Sequence, residues 1–185
     1  MILPQNHPII YINMIKKIIT LILAVQITTF TVHAACPVNI ISSIETIEQQ
    51  LKEQLKPITE FVYFTHTPTG LAISIKDELI FDKCGCLNDS GKIFLNIMAQ
   101  TMKTSGHKWM ILCHGTQGET QIERISNTSL KAGTITNYLT DIETCLINQL
   151  FPIGFGSIIP TQNPKIKTEN LYNRVDFIIE EFKLN

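Results

Sequence analysis

The chain has 185 residues, enough for one domain and an additional segment, with 44% hydrophobic and 17% charged residues and a formal net charge of −1. A single tryptophan and the lack of any basic cluster exclude the footprint of a nucleic-acid binder. The same balance predicts no strong attraction to an anionic membrane surface.

From Met14 the sequence reads MIKKIITLILAVQITTFTVHAAC. Lys16 and Lys17 make a positive start, Ile18 to Val32 an apolar stretch diluted by threonines and Gln26, and small residues precede Ala35. This predicts a secretory signal peptide over residues 1–35, with Met14 as an alternative start. The apolar run is shorter and more polar than the ~20 residues a membrane span needs. Removing it takes away only two lysines and leaves 13 basic and 16 acidic residues, a net −3. Cys36 follows two alanines and resembles a lipobox cysteine, whose thiol receives a diacylglyceride. His33 stands where that motif usually has leucine, so plain cleavage after Ala34 is the competing expectation. Several acyl chains on Cys36 exceed the two signals that stable membrane anchoring needs.

The other cysteines are Cys84, Cys86, Cys113 and Cys145, an even number, which in an exported chain favours disulfides over metal or catalysis. Four cysteines allow three pairings and sequence does not choose among them. Neither CxxC nor HExxH occurs, and no metal site or cofactor is expected.

In chain order, Ile44, Ile47, Leu51 and Leu55 recur at helical spacing and predict an amphipathic helix that Pro57 ends. TEFVYFTH (59–66) is a strand by composition, and TPTG a turn. LAISI and LIFD alternate as further strands of a hairpin or meander. Asp89 caps a helix through Met102, with Ile93, Phe94, Ile97 and Met98 on one face. HKWMILCH is a largely apolar and therefore central strand. Asn127 or Thr128 caps a second helix through Leu139, FPIGFG is a short strand, and RVDFIIEEF is the last one. A loop with Pro160 and Pro164 and a helical turn at Glu169–Tyr172 fill the gap before it. Residues 36–70 therefore carry the anchor linker, the amphipathic helix and an extra strand. Residues 71–185 carry a β-α-β-α-β-(α)-β two-layer α/β sandwich, with parallel strands at each βαβ step.

Ligands gather at the carboxyl ends of parallel strands. Cys113-His114 ends one such strand, and Cys84 and Cys86 follow another, so a bridge from Cys113 to either is geometrically reasonable. Neighbours on a strand point to opposite faces, so Cys113 and His114 do not form a nucleophile–base pair. The glycines of HGTQG lack phosphate-loop spacing.

WMILCHGTQGETQIERISNTSLKAGTITNYL resembles the middle of the OmpA-like domain, in which a strand ends in a GHTD-type loop and a helix begins LSxxRA. GFGSIIP (154–160), NRVDFII (173–179) and LIFDK (79–83) match the other motifs of that family in order, so the resemblance spans about residues 71–182. It implies non-covalent peptidoglycan binding, with a loop aspartate and a helix arginine clamping diaminopimelate. The aspartate position falls on Thr116 and the arginine position on Lys131, which are 15 residues apart as in the family. Arg174 at the strand rim is a further candidate contact. Threonine loses the charge that pairs with ammonium, and lysine loses the bidentate fork. Small size and this altered clamp resemble the small OmpA-like lipoproteins of Dot/Icm type IVB secretion systems. The expectation is a non-enzymatic subunit at the periplasmic face of the outer membrane. Its partners are core-complex subunits and the membrane through the lipid, peptidoglycan binding is weak or absent, and nucleic acid plays no part. The alternatives are a Pal-like tether that grips peptidoglycan and, less well supported, an envelope enzyme using Cys113.

Overall fold

The computed structural model describes residues 42–68, 70–158 and 173–180. The signal peptide, Cys36, the Pro160–Pro164 loop and the Glu169–Tyr172 turn lie outside the described residues.

Helix α1 (Ile44–Gln54) starts where Ser43 Oγ accepts the Thr46 N–H at 3.3 Å. Its stripe Ile44, Ile47 and Leu51 is buried, as is Leu55 beyond its end, and Pro57 sits in the 3-10 turn that follows. Strands β1 (Val62–Thr67) and β2 (Gly70–Lys76) form the expected hairpin, in antiparallel register from Val62↔Ile75 to Thr67↔Gly70. LIFD is not a strand. Residues Asp77–Ile80 make one helical turn, α2, and Phe81 forms an isolated bridge with Leu87. Ile80 and Phe81 are both buried, and consecutive buried side chains do not fit a half-exposed strand.

Helix α3 (Asp89–Ser105) is capped by Asn88, one residue before the expected Asp89, through a 2.7 Å bond from Gly91 N–H to Asn88 Oδ1. Its buried face is Phe94, Leu95, Met98, Ala99 and Met102. Ile93, expected on that face, is 65% exposed. Strand β3 (Trp109–His114) is interior to the sheet, as predicted. Helix α4 (Gln121–Ile142) begins well before the expected Asn127 or Thr128. Its start is a capping box: Thr120 takes the Glu123 N–H, and the Glu123 carboxylate takes the Thr120 N–H. Thr128 is buried inside the helix and bonds back to the Arg124 carbonyl at 2.8 Å.

Strands β4 (Leu150–Gly156) and β5 (Arg174–Glu180) complete a five-stranded sheet of order β1-β2-β5-β3-β4. β5 is antiparallel to both β2 and β3, and β4 is parallel to β3. Adjacent parallel strands were expected at each βαβ step. Only β3–β4 keeps that arrangement, because the last strand inserts between β2 and β3 and splits the first unit. Leu71, Ile73 and Ile75 of β2, Trp109 and Ile111 of β3 and Phe177 of β5 face the helices and form the core. Each fully buried large apolar side chain contributes roughly 1.5–3 kcal/mol.

Helix α4 sits directly on β4 at Gly154. A Cβ there would lie 2.3 Å from the Ser129 amide nitrogen, so only glycine lets the two backbones approach. Thr128 Oγ1 accepts the Gly156 N–H at 2.9 Å and locks the end of β4 to the same helix.

Candidate functional site

Lys131 emerges from the buried side of α4 beside the end of β2. Its Nζ is 2.5 Å from Asp77 Oδ2, and each side chain is only 14% exposed. The same ammonium lies 5.3 Å from the centre of the Phe81 ring, within cation–π range. These groups form one wall of a cavity of about 480 Å³ at the carboxyl end of β2. Lys76, Gln117 and Asn173 contribute to the remaining walls. The cavity is polar, and its cations and carboxylates come from the end of β2, the turn after it and α4. Asp77 Oδ1 is buried without a hydrogen-bond partner among the described residues. That arrangement carries a desolvation cost of about 1–3 kcal/mol.

The loop after β3 is held by residues that the sequence did not assign to the site. Arg124 donates from Nε to the Gly118 carbonyl at 2.9 Å, from Nη2 to the Glu119 carbonyl at 3.2 Å, and from Nη1 to Ser157 Oγ at 3.2 Å. Asn127 Nδ2 donates to the Gln117 carbonyl at 3.0 Å. Asn173 ties two edges of the cavity together. Its side-chain oxygen accepts the Thr116 N–H at 3.1 Å and its carbonyl accepts the Asp77 N–H at 3.1 Å. The Glu123 carboxyl is held below its usual range by the Thr120 and Glu119 N–H groups, which keeps the loop closed onto the start of α4. Only interacting side chains three and four positions apart mark such a loop in sequence, and Thr120–Glu123 is that signal.

Of the residues singled out from sequence, the structure brings Lys131 to the cavity and leaves two others outside it. Thr116 is exposed, with its neighbour Gln117 lining the cavity instead. Arg174 is 5% exposed and turns to Asp176, its Nε standing 3.0 Å from each carboxylate oxygen. Asp176 is 6% exposed, and its Oδ2 is 3.1 Å from Nε2 of the buried His114. That nitrogen stands beside the carboxylate in the buried cluster. Burial pushes the Asp176 carboxyl upward, but the His114, Arg174 and Ser74 interactions outweigh it and leave the group below its ordinary value. His114 Nδ1 meets the Ile158 carbonyl at 3.3 Å, and the ring packs on Phe155 with centroids 5.3 Å apart.

Cys113 and His114 point to opposite sides of the sheet. Cys113 is 1% exposed in the core, and burial first, then the Asp77 carboxylate, pushes its thiol far above the ordinary value. A nucleophilic cysteine needs the reverse. Cys84, Cys86 and Cys113 are free thiols, so the expected bridge from Cys113 to Cys84 or Cys86 does not form. Cys113 lies within the helix–sheet core, whereas Cys84 and Cys86 are exposed on a turn whose two N–H groups bind Asp82 Oδ1 at 2.8 and 2.9 Å. Cys145 is disulfide-bonded. Among the described residues no group of three or more candidate metal ligands occurs, and no helix is long and apolar enough to cross a membrane.

No protein-family model matches the chain, and no curated protein matches it. Solved structures do. A putative MotB-like protein from Desulfovibrio vulgaris is similar at 14% identity and a TM-score of 0.59, over 75% of this chain and 93% of that one. The periplasmic domain of Helicobacter pylori MotB is similar at 13% identity and 0.56, over 69% and 84%. The cell wall anchor of the T6SS from Pseudomonas aeruginosa is similar at 10% identity and 0.56, over 71% and 96%. At these identities the likeness is one of fold, a mixed α/β sandwich of the class expected from the sequence.

Proposed function

We propose that this chain is a non-enzymatic structural module of the bacterial cell envelope. In this reading it is exported, held by lipid on Cys36 at the periplasmic face of the outer membrane, and built into a secretion core complex of the type IVB kind. The resemblance is to the small Dot/Icm component called DotK or IcmN. Support comes from a fold shared with a periplasmic MotB domain and a T6SS cell wall anchor. The observation that carries the reading is the state of Lys131. It occupies the position of the family's clamp arginine, but its charge is already taken by Asp77, and Thr116 brings no carboxylate. A module with this site keeps the frame and gives up the grip, which suits docking against protein subunits.

The second reading, a tether that binds peptidoglycan directly, is favoured by the cavity itself, which still holds a cation beside a carboxylate. Co-sedimentation of the mature protein with purified sacculi separates the two. The structural-subunit reading expects the protein to stay in the supernatant, and tight retention favours the tether. An enzyme using Cys113 loses its premise in the burial of that thiol. Intact mass tests the anchor. Lipidation of Cys36 should raise the mature mass by that of the attached acyl groups. A mature mass without added lipid removes the membrane anchor from the proposal.

A further inference from the structure

The cavity beside α4 has a cation in its wall and the means to hold a carboxylate against it. Lys131 Nζ lies over the Phe81 ring, which is itself buried and supports the ammonium. What meets it is an oxygen of the chain's own Asp77, at the first residue after β2. The other oxygen of that carboxylate has no partner among the described residues. A contact serving stability alone gains by satisfying both oxygens, since a buried unpaired acceptor costs about as much as a hydrogen bond returns. The half-satisfied carboxylate is therefore a weak tenant of a good seat. An incoming carboxylate that met Lys76 as well as Lys131, both of which line the cavity, would have a donor at each oxygen and compete on favourable terms. The neighbouring Lys76 Nζ is 3.7 Å from Glu78 and 30% exposed in its side chain, so it stays accessible to such a ligand.

We propose that Asp77 is an internal plug: its carboxylate occupies a carboxylate-binding seat on Lys131, and displacing or removing it opens the cavity to carboxylate-bearing stem peptides of the cell wall. This rests on the reading of the cavity as the altered wall-binding site of an OmpA-like module. The plug accounts for how such a site is kept silent while its cation is retained. It also makes wall contact conditional on a rearrangement at the end of β2, where Asp77 N–H is tied to the Asn173 carbonyl at 3.1 Å.

The test is co-sedimentation of the mature chain with purified sacculi, with free diaminopimelate as competitor. Wild type, Asp77→Asn, and the double variant Asp77→Asn with Lys131→Met are compared, each with its circular dichroism spectrum and Tm. Asparagine keeps the shape of Asp77 and removes the charge, and Asp77→Ser is a second route should the first variant not fold. The plug predicts retention of D77N raised ~10-fold or more over wild type, as expected for regaining one charge-assisted hydrogen bond. It also predicts loss of that gain with diaminopimelate and in the double variant. A folded D77N or D77S that sediments no more than wild type overturns the plug and leaves the structural-subunit reading intact. Tight retention of the wild type overturns that reading itself, and the plug with it.

Discussion

Two charged clusters of this protein look alike on paper and differ in what surrounds them. Arg174, Asp176 and His114 are 5%, 6% and 2% exposed, and Arg174 Nε spans both oxygens of the carboxylate. Lys131 and Asp77 are each 14% exposed in their side chains, border a cavity and leave one carboxylate oxygen idle. Burial makes the first cluster costly to open, since losing the carboxylate takes a charge partner from the buried Arg174. It fixes the neighbouring strands: Leu112 opposes Asp176 and His114 opposes Arg174 across β3 and β5. The second cluster faces solvent on one side, so a ligand can take the place of either partner. Burial, more than charge type, separates a structural cluster from a candidate binding one.

The comparison can be broken hardest at Asp176. Asp176→Asn should cost about 3–5 kcal/mol in denaturant unfolding, because it takes the carboxylate away from the buried Arg174. The folded-state value of the Asp176 carboxyl lies below its ordinary value. Its contribution is therefore complete above about pH 4, the unfolded value, and disappears as pH falls through the lower folded value. Acid unfolding of the wild type should show this loss, and D176N should flatten it. Gly154→Ala should cost about 1–3 kcal/mol or more, because the added methyl meets the backbone of α4 at 2.3 Å. That change should also weaken the seat of Lys131, since α4 carries it. At the open cluster the effects should be smaller. A double-mutant cycle of Asp77→Asn and Lys131→Met should return a coupling of about 1–2 kcal/mol, well below the cost at Asp176. Thr120→Ala should remove about 1 kcal/mol by losing the cap of α4, with little effect on either cluster. Equal losses at Asp176 and Asp77 would erase the distinction between them.

Periodicity located α1, α3 and the apolar strands because their buried faces repeat at 3.6 or 2 residues. The extra hairpin was legible for the same reason. LIFD reads as a strand because three apolar residues end in an acidic one, yet Leu79 and Ile80 close a one-turn helix and Phe81 follows it into the core. The start of α4 was missed because Ile122 is 80% exposed and masks the stripe, while Thr120 and Glu123 signalled it. Motif order led to the mixed α/β fold and to Lys131. Motifs cannot reveal a partner that comes from another part of the chain. Asp77, the first residue after β2 and 54 residues before Lys131, brings a carboxylate to that lysine. Arg174 drew attention as a strand-rim cation, and only the register with β3 shows that it belongs to the buried cluster. Nor does sequence tell that Cys113 faces a sealed core rather than the loop where Cys84 and Cys86 lie.

The central claim is that this site keeps its cation and has lost its open grip on the wall. Titration of the unmodified mature protein against purified sacculi, measured as the bound fraction, tests it most directly. The account predicts no saturable binding that diaminopimelate displaces. Saturable binding of the wild type, competed by diaminopimelate and lost in Lys131→Met, would contradict it.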